Sequence, residues 1–133
     1  MKDLIAMCAV FLLLMTFPLQ YALNTKNHYS MSLMQKHVNN AKEVARQDGY
    51  FTADTIKSLK TSISNDFGIK DTDVIIEVTE VGDKKVRGEL IHYKVTVPLN
   101  QIIAANVFWG ITDQDNRASY VIENFAASEW VTE

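Results

Sequence analysis

The chain has 133 residues, which leaves room for one domain plus an anchor and not for two domains. A net charge of −3 with scattered basic residues argues against a nucleic-acid surface, and a lone cysteine excludes an internal disulfide. With a hydrophobic share of 47%, 5 Gly and 2 Pro, the composition is not that of a disordered chain.

The apolar residues are unevenly spread. No charge occurs between Asp3 and Lys26, and Leu4–Leu23 is almost continuously apolar. Twenty residues rising ~1.5 Å each cover ~30 Å as a helix, the thickness of a bilayer's hydrocarbon core. A retained membrane anchor is therefore expected. The rival is a removed signal peptide: Lys2, the run Leu4–Phe17 and Pro18 would suit one, but a small-x-small cleavage site is missing, with only Ala22 preceded by Gln20. Lys2 lies before the segment and Lys26, Lys36 and Lys42 after it, so the positive-inside rule gives no clean orientation. The size and polarity of the remainder favour an exported C-terminal part. Cys8 falls inside the apolar run, where it should act as a small buried hydrophobe.

The segment does not end in a turn. From Leu23 to Asp48 there is no Gly or Pro, and Met31, Met34, Val38, Ala41 and Ala45 recur at spacings of three and four. That is one narrow helical stripe, and Gly49 supplies its stop. The spacing predicts a single helix from Asp3 to Asp48, about 70 Å long, with Pro18 inside it and expected to kink or loosen it. Thr52 is a candidate N-cap for a second helix, whose apolar face is Ile56, Leu59, Ile63 and Phe67 and whose stop is Gly68.

The period then changes to two. Val74, Ile76 and Val78 read as one strand, and Ile91, Tyr93, Val95 and Val97 as a second that Pro98 terminates. Gly82–Lys85 is turn chemistry, so the pair forms a hairpin with Lys84–Arg87 as a solvated basic tip. Asn100–Trp109 fits a short helix stopped by Gly110, and Asp113–Asn116 a loop. Ala118–Val131 fits helix and strand templates alike, and a third antiparallel strand is expected there. The fold class is α+β: a long N-terminal helix packed against a small antiparallel sheet of about three strands, with one or two short helices. Three segments follow: 1–23 as a transmembrane or filament-core helix, 24–48 as its amphipathic continuation, and 49–133 as an extracytoplasmic head.

No catalytic, cofactor or metal constellation emerges. His28 and His37 are nine residues apart on one helix, His92 lies on the outer face of a strand, and no Cys or His pair has zinc spacing. Asp71-Thr72-Asp73 and Asp113-Gln114-Asp115-Asn116 lack the fixed offsets and closing Glu of a calcium loop, and read as turns. An enzyme is not expected. What remains is the amphipathic stripe, which packs either against its own domain or against copies of itself. Ser30, Met31, Met34, Ala41 and Ala45 suit a close helix seam. The charge split lends side-by-side assembly mild support: Lys26–Asp48 has a net charge of +2 and Gly49–Glu133 of −5.

A hydrophobic helix running unbroken into an amphipathic one, a proline inside the anchor, and then a small antiparallel sheet resemble the type IV pilin-like superfamily. The chain is most similar to TadE-like minor pseudopilins and related small pilin-like proteins of Gram-positive bacteria. The likeness is specific for Leu4–Ala45 with Pro18. Tyr93-Lys94-Val95-Thr96-Val97-Pro98 is similar to the strand-then-proline segment of those families, and Ala118–Val131 to their closing strand. The family's Glu near the N-terminus, which pairs with a neighbour's amine, has only Asp3 as a counterpart, two residues earlier. The resemblance implies a structural subunit of a pilus-like surface filament, single-pass in the cell membrane before assembly. Its implied partners are copies of itself or other pilin-like subunits, the assembly machinery and membrane lipid. The helix-packing residues it implicates are Asp3, Leu4, Phe11, Leu14, Pro18, Met31, Met34, Val38, Ala41 and Ala45. The alternatives are a monomeric membrane-anchored binding module and, last, a secreted enzyme behind a removed signal.

Overall fold

A computed structural model describes residues 1–79 and 82–131. The fold is α+β, with a long N-terminal helix, a second helix and a three-stranded antiparallel sheet of order β1-β2-β3. Helix α1 is Lys2–Asp48, 47 residues with Pro18 inside it and no break in the helix at that point. Helix α2 is Ala53–Phe67, followed by one 3-10 turn at Asp71–Asp73. The strands are β1, Ile75–Val78; β2, Leu90–Leu99; and β3, Ala118–Ala127.

The chain forms two compact units. One is Met1–Tyr29 with Leu99–Ala118, and the other is Ser30–Pro98 with Ser119–Glu133. This division differs from segment boundaries at 23 and 48: the second half of α1 belongs with the sheet, and the β2–β3 connection belongs with the first half of α1.

In the sheet-bearing unit the strands alternate as their period requires. Ile91, Tyr93, Val95 and Val97 of β2 are buried, while His92, Lys94 and Thr96 between them are half-exposed. The β1–β2 register sets Ile76 opposite Val95 and Val78 opposite Tyr93, with the Glu77–Lys94 ion pair on the outer side. The core collects Met34, Val38, Ala41 and Ala45 of α1, Leu59 and Ile63 of α2, the β2 face, Phe51, Val74 and Ala126. Phe51 and Tyr93 meet ring to ring at 5.5 Å.

Local chemistry fixes the helix ends. The Thr52 hydroxyl accepts from the Thr55 amide at 3.1 Å, so α2 starts where a side-chain cap was expected. Gly68 closes α2 in the left-handed region (φ 63°), its amide donating to the Ser64 carbonyl. At the end of α1, Gly49 has φ 82°, and a Cβ there would lie 2.9 Å from the Lys85 carbonyl oxygen. Only glycine lets the β1–β2 connection come that close, and the Lys85 amide donates to the Gly49 carbonyl at 2.9 Å. Arg46 bonds to the Ala127 carbonyl and pairs with Glu43 and Glu129, tying the helix end to the end of β3.

Two expectations are corrected. Asn100–Trp109 is a chain of turns and not a helix. The reason is competition from side chains: Asn116 donates to the Ile103 carbonyl, which a helix would use, and accepts from the Ile102 and Ile103 amides, while Asn106 donates to the Ile111 carbonyl and closes the turn. Strand β2 passes through Pro98 and ends at Leu99. Strands β1 and β2 pair antiparallel as the expected hairpin does, and Lys84 in their connection reaches over the rings of Trp130 at 5.0 Å and Tyr50 at 5.9 Å. Strand β3 settles the ambiguity of Ala118–Val131, covering Ala118–Ala127.

Candidate functional site

The two halves of α1 have opposite fates. Leu4, Phe11 and Leu14 are 64%, 57% and 59% exposed, and Pro18 and Asp3 are exposed as well. Asp3 lies in the first helical turn, where a carboxylate faces the positive end of the helix dipole. Cys8, expected to be a buried hydrophobe, is exposed on this chain taken alone. The stripe is the reverse: Met34, Val38, Ala41 and Ala45 are core, and Met31 is half-buried. Of the two packings open to the stripe, this structure has the intramolecular one. In this fold those four residues are buried, whereas the first half of α1 is uncovered.

That first half is long and apolar enough to cross a membrane, and none of its most apolar window is buried. Its unit also contains the β2–β3 connection, held to α1 by polar side chains on one helical face. The Gln20 amide group donates to the Ile102 carbonyl at 2.9 Å, and its oxygen accepts from the Ala104 amide at 2.8 Å. Asn27 donates to the Gln101 carbonyl at 3.0 Å. Asn116, 2% exposed, organises the connection from inside. Its oxygen accepts from the Ile102 and Ile103 amides at 3.0 and 2.7 Å, and its nitrogen donates to the Ile103 carbonyl.

The sheet-bearing unit offers a groove of about 410 Å³ with a mixed lining, formed by His37, Asn40, Ala41 and Val44 of α1 and by Asp54, Thr55, Ser58, Leu59 and Ser62. His37 Nε2 lies 2.5 Å from Asp66, and His92 Nε2 lies 2.9 Å from Glu123 while its ring packs on Phe125. The partners are 29 and 31 residues apart in sequence, so no local motif announces these pairs. Among the described residues no cluster of three or more His, Cys, Asp or Glu side chains could hold a metal. Burial pushes the Glu43 carboxyl up, but the bonds and charges of Arg46 and then Lys42 outweigh it and leave it below its usual value. Burial, reinforced by the Glu43 charge, raises the Tyr93 phenol.

Sequence reasoning found the exposed half of α1 but missed the polar seat of the β2–β3 connection. A signal for it existed: Gln20, Asn24 and Asn27 recur at helical spacing where the apolar run ends. The fold and this surface define a class, an α+β domain carried on a helix able to cross a membrane. Comparison with protein families, curated proteins and solved structures finds no match to this chain.

Proposed function

We propose that this protein is a membrane-anchored, pilin-like structural subunit that assembles into a surface filament through the exposed half of α1, with its sheet-bearing part outside the cytoplasm. The observation that carries the reading is the split in α1: one continuous helix gives its second half to the core and leaves its first half apolar and uncovered. Such a helix serves two settings in turn. In the membrane, lipid covers Leu4–Leu19. In a filament, copies of the same helix cover it, each Å² of apolar surface kept from water contributing roughly 25 cal/mol. The resemblance to small pilin-like proteins points the same way, with other pilin-like subunits and a membrane assembly machine as further partners.

Cys8, the lone thiol, sits in the exposed half and reports on this directly. Oxidation in native membranes and in sheared surface material is expected to give Cys8–Cys8 dimers, and electron microscopy of the sheared material to show thin filaments. Monomer in both fractions, with no filaments, would instead favour an anchored binding module. The observation behind that second reading is the groove beside His37, whose mixed polar and apolar lining gives a ligand both kinds of contact.

A further inference from the structure

The β2–β3 connection has a tip that the assembly reading does not use. No charged residue occurs between Lys94 and Asp113, a second charge-free interval after the one in the anchor. At its centre Val107, Phe108 and Trp109 are 82%, 57% and 50% exposed, and the two rings meet edge to face at 5.2 Å. Three consecutive bare apolar side chains on a turn are not needed by the core of either unit.

The backbone beneath them is closed on itself. The amides of Phe108, Trp109 and Gly110 donate to the carbonyls of Ala105, Asn106 and Val107, and the Ile111 amide donates to the Asn106 carbonyl. The Asn106 side chain, 7% exposed, donates to the Ile111 carbonyl and to Asp113. Ala105 holds a left-handed conformation (φ 54°) to make this turn, a conformation disfavoured for a residue with a Cβ. The turn thus pairs the amides of Phe108, Trp109, Gly110 and Ile111 within itself, which lowers the cost of bringing its apolar side chains out of water.

Its position identifies the medium. Trp109 and Ala104 line a hollow of about 250 Å³ together with Leu13, Thr16, Phe17 and Gln20 of α1. Phe17 lies six residues before Leu23, about 9 Å into a span that ends there. The rings therefore stand beside the segment that would be in lipid, at the level of the upper acyl chains, just below the interface where Trp gathers.

We infer that Val107, Phe108 and Trp109 form a second membrane contact, wedged into the outer leaflet of the phospholipid bilayer alongside α1, with acyl chain filling the hollow under Trp109. The contact holds the Leu99–Ala118 connection at the membrane surface. It rests on α1 being a membrane anchor, and not on filament assembly.

The test uses the full chain in phosphatidylcholine–phosphatidylglycerol vesicles carrying lipid brominated high on the acyl chain. Flotation reports anchoring, and tryptophan emission reports the wedge. Wild-type protein is expected to float, and the Trp130→Phe variant, with Trp109 as its lone tryptophan, to show blue-shifted emission and lose most of it to bromine. The Trp109→Phe variant should float equally well and keep nearly all the emission of Trp130. A chain that floats with Trp109 unquenched overturns the wedge and leaves the anchor standing. Blue-shifted but unquenched emission that reddens as lipid is added in excess would put a second copy on the tip, and also overturns it. A chain that does not float overturns anchor and wedge together.

Discussion

Gln20 and Ala104 lie 84 residues apart in sequence, yet the Ala104 amide donates to the Gln20 side-chain oxygen at 2.8 Å. The same side chain donates to the Ile102 carbonyl, so one glutamine at the end of the apolar run seats the β2–β3 connection. Gln20→Ala would leave both backbone groups without these partners, a loss of about 1–3 kcal/mol where they are shielded from water. Hydrogen exchange should show faster exchange at the Ala104 amide, with the amides of α2 unchanged. Gln20→Glu keeps the acceptor and loses the donor, and should show a smaller effect at Ala104.

Substitutions on the two halves of α1 should separate cleanly. Met34→Ala removes a fully buried side chain and should cost about 2–5 kcal/mol. Val38→Asp buries an unpaired charge, enough to unfold a domain whose total stability is of order 5–15 kcal/mol. Leu14→Asp should leave the denaturant midpoint of the sheet-bearing unit unchanged and abolish membrane partition or polymer. These results would be read by urea unfolding of the full chain in detergent, alongside fractionation.

The junction between α1 and α2 depends on two small groups. Thr52→Ala removes the cap from the Thr55 amide and should cost about 1 kcal/mol. Gly49→Ala forces a Cβ into the left-handed region and against the Lys85 carbonyl, and should cost more than the cap. Paired urea midpoints for the two variants check the order.

Alkaline pH should weaken the fold through Tyr93. Burial, with Glu43 nearby, raises its phenol above the ordinary value of 10.0, so the folded state holds the proton more tightly than the unfolded one. That contribution is complete below pH 10 and is lost as pH rises through the higher folded value. Tyr93→Phe should therefore shift the midpoint at neutral pH but show a shallower decline between about pH 9 and 11.

Much of this fold is legible in residue order because periodicity survives tertiary packing. The 3.6-residue repeat of Met34, Val38, Ala41 and Ala45 and the alternation through Tyr93, Val95 and Val97 mark the faces that are buried. What periodicity cannot say is which neighbour covers a face, so the stripe on α1 was open between its own sheet and another copy. The Asn100–Trp109 segment fits a helix in sequence yet is not one, because its conformation is set by Asn106, Asn116 and the distant Gln20. Amide side chains bond to backbone without leaving a repeat. The His37–Asp66 and His92–Glu123 pairs were invisible for a related reason, since each joins two elements through the fold.

In the proposed function the first half of α1 stays on the protein and is covered by lipid or by other subunits. Intact-mass measurement on natively produced protein, recovered from membranes after an alkaline carbonate wash, tests it most directly. The chain is expected to stay with the pellet, with a mass that includes residues 1–23. A freely soluble form whose mass begins near Leu23 or Asn24 would contradict it, and would make the apolar run a removed signal.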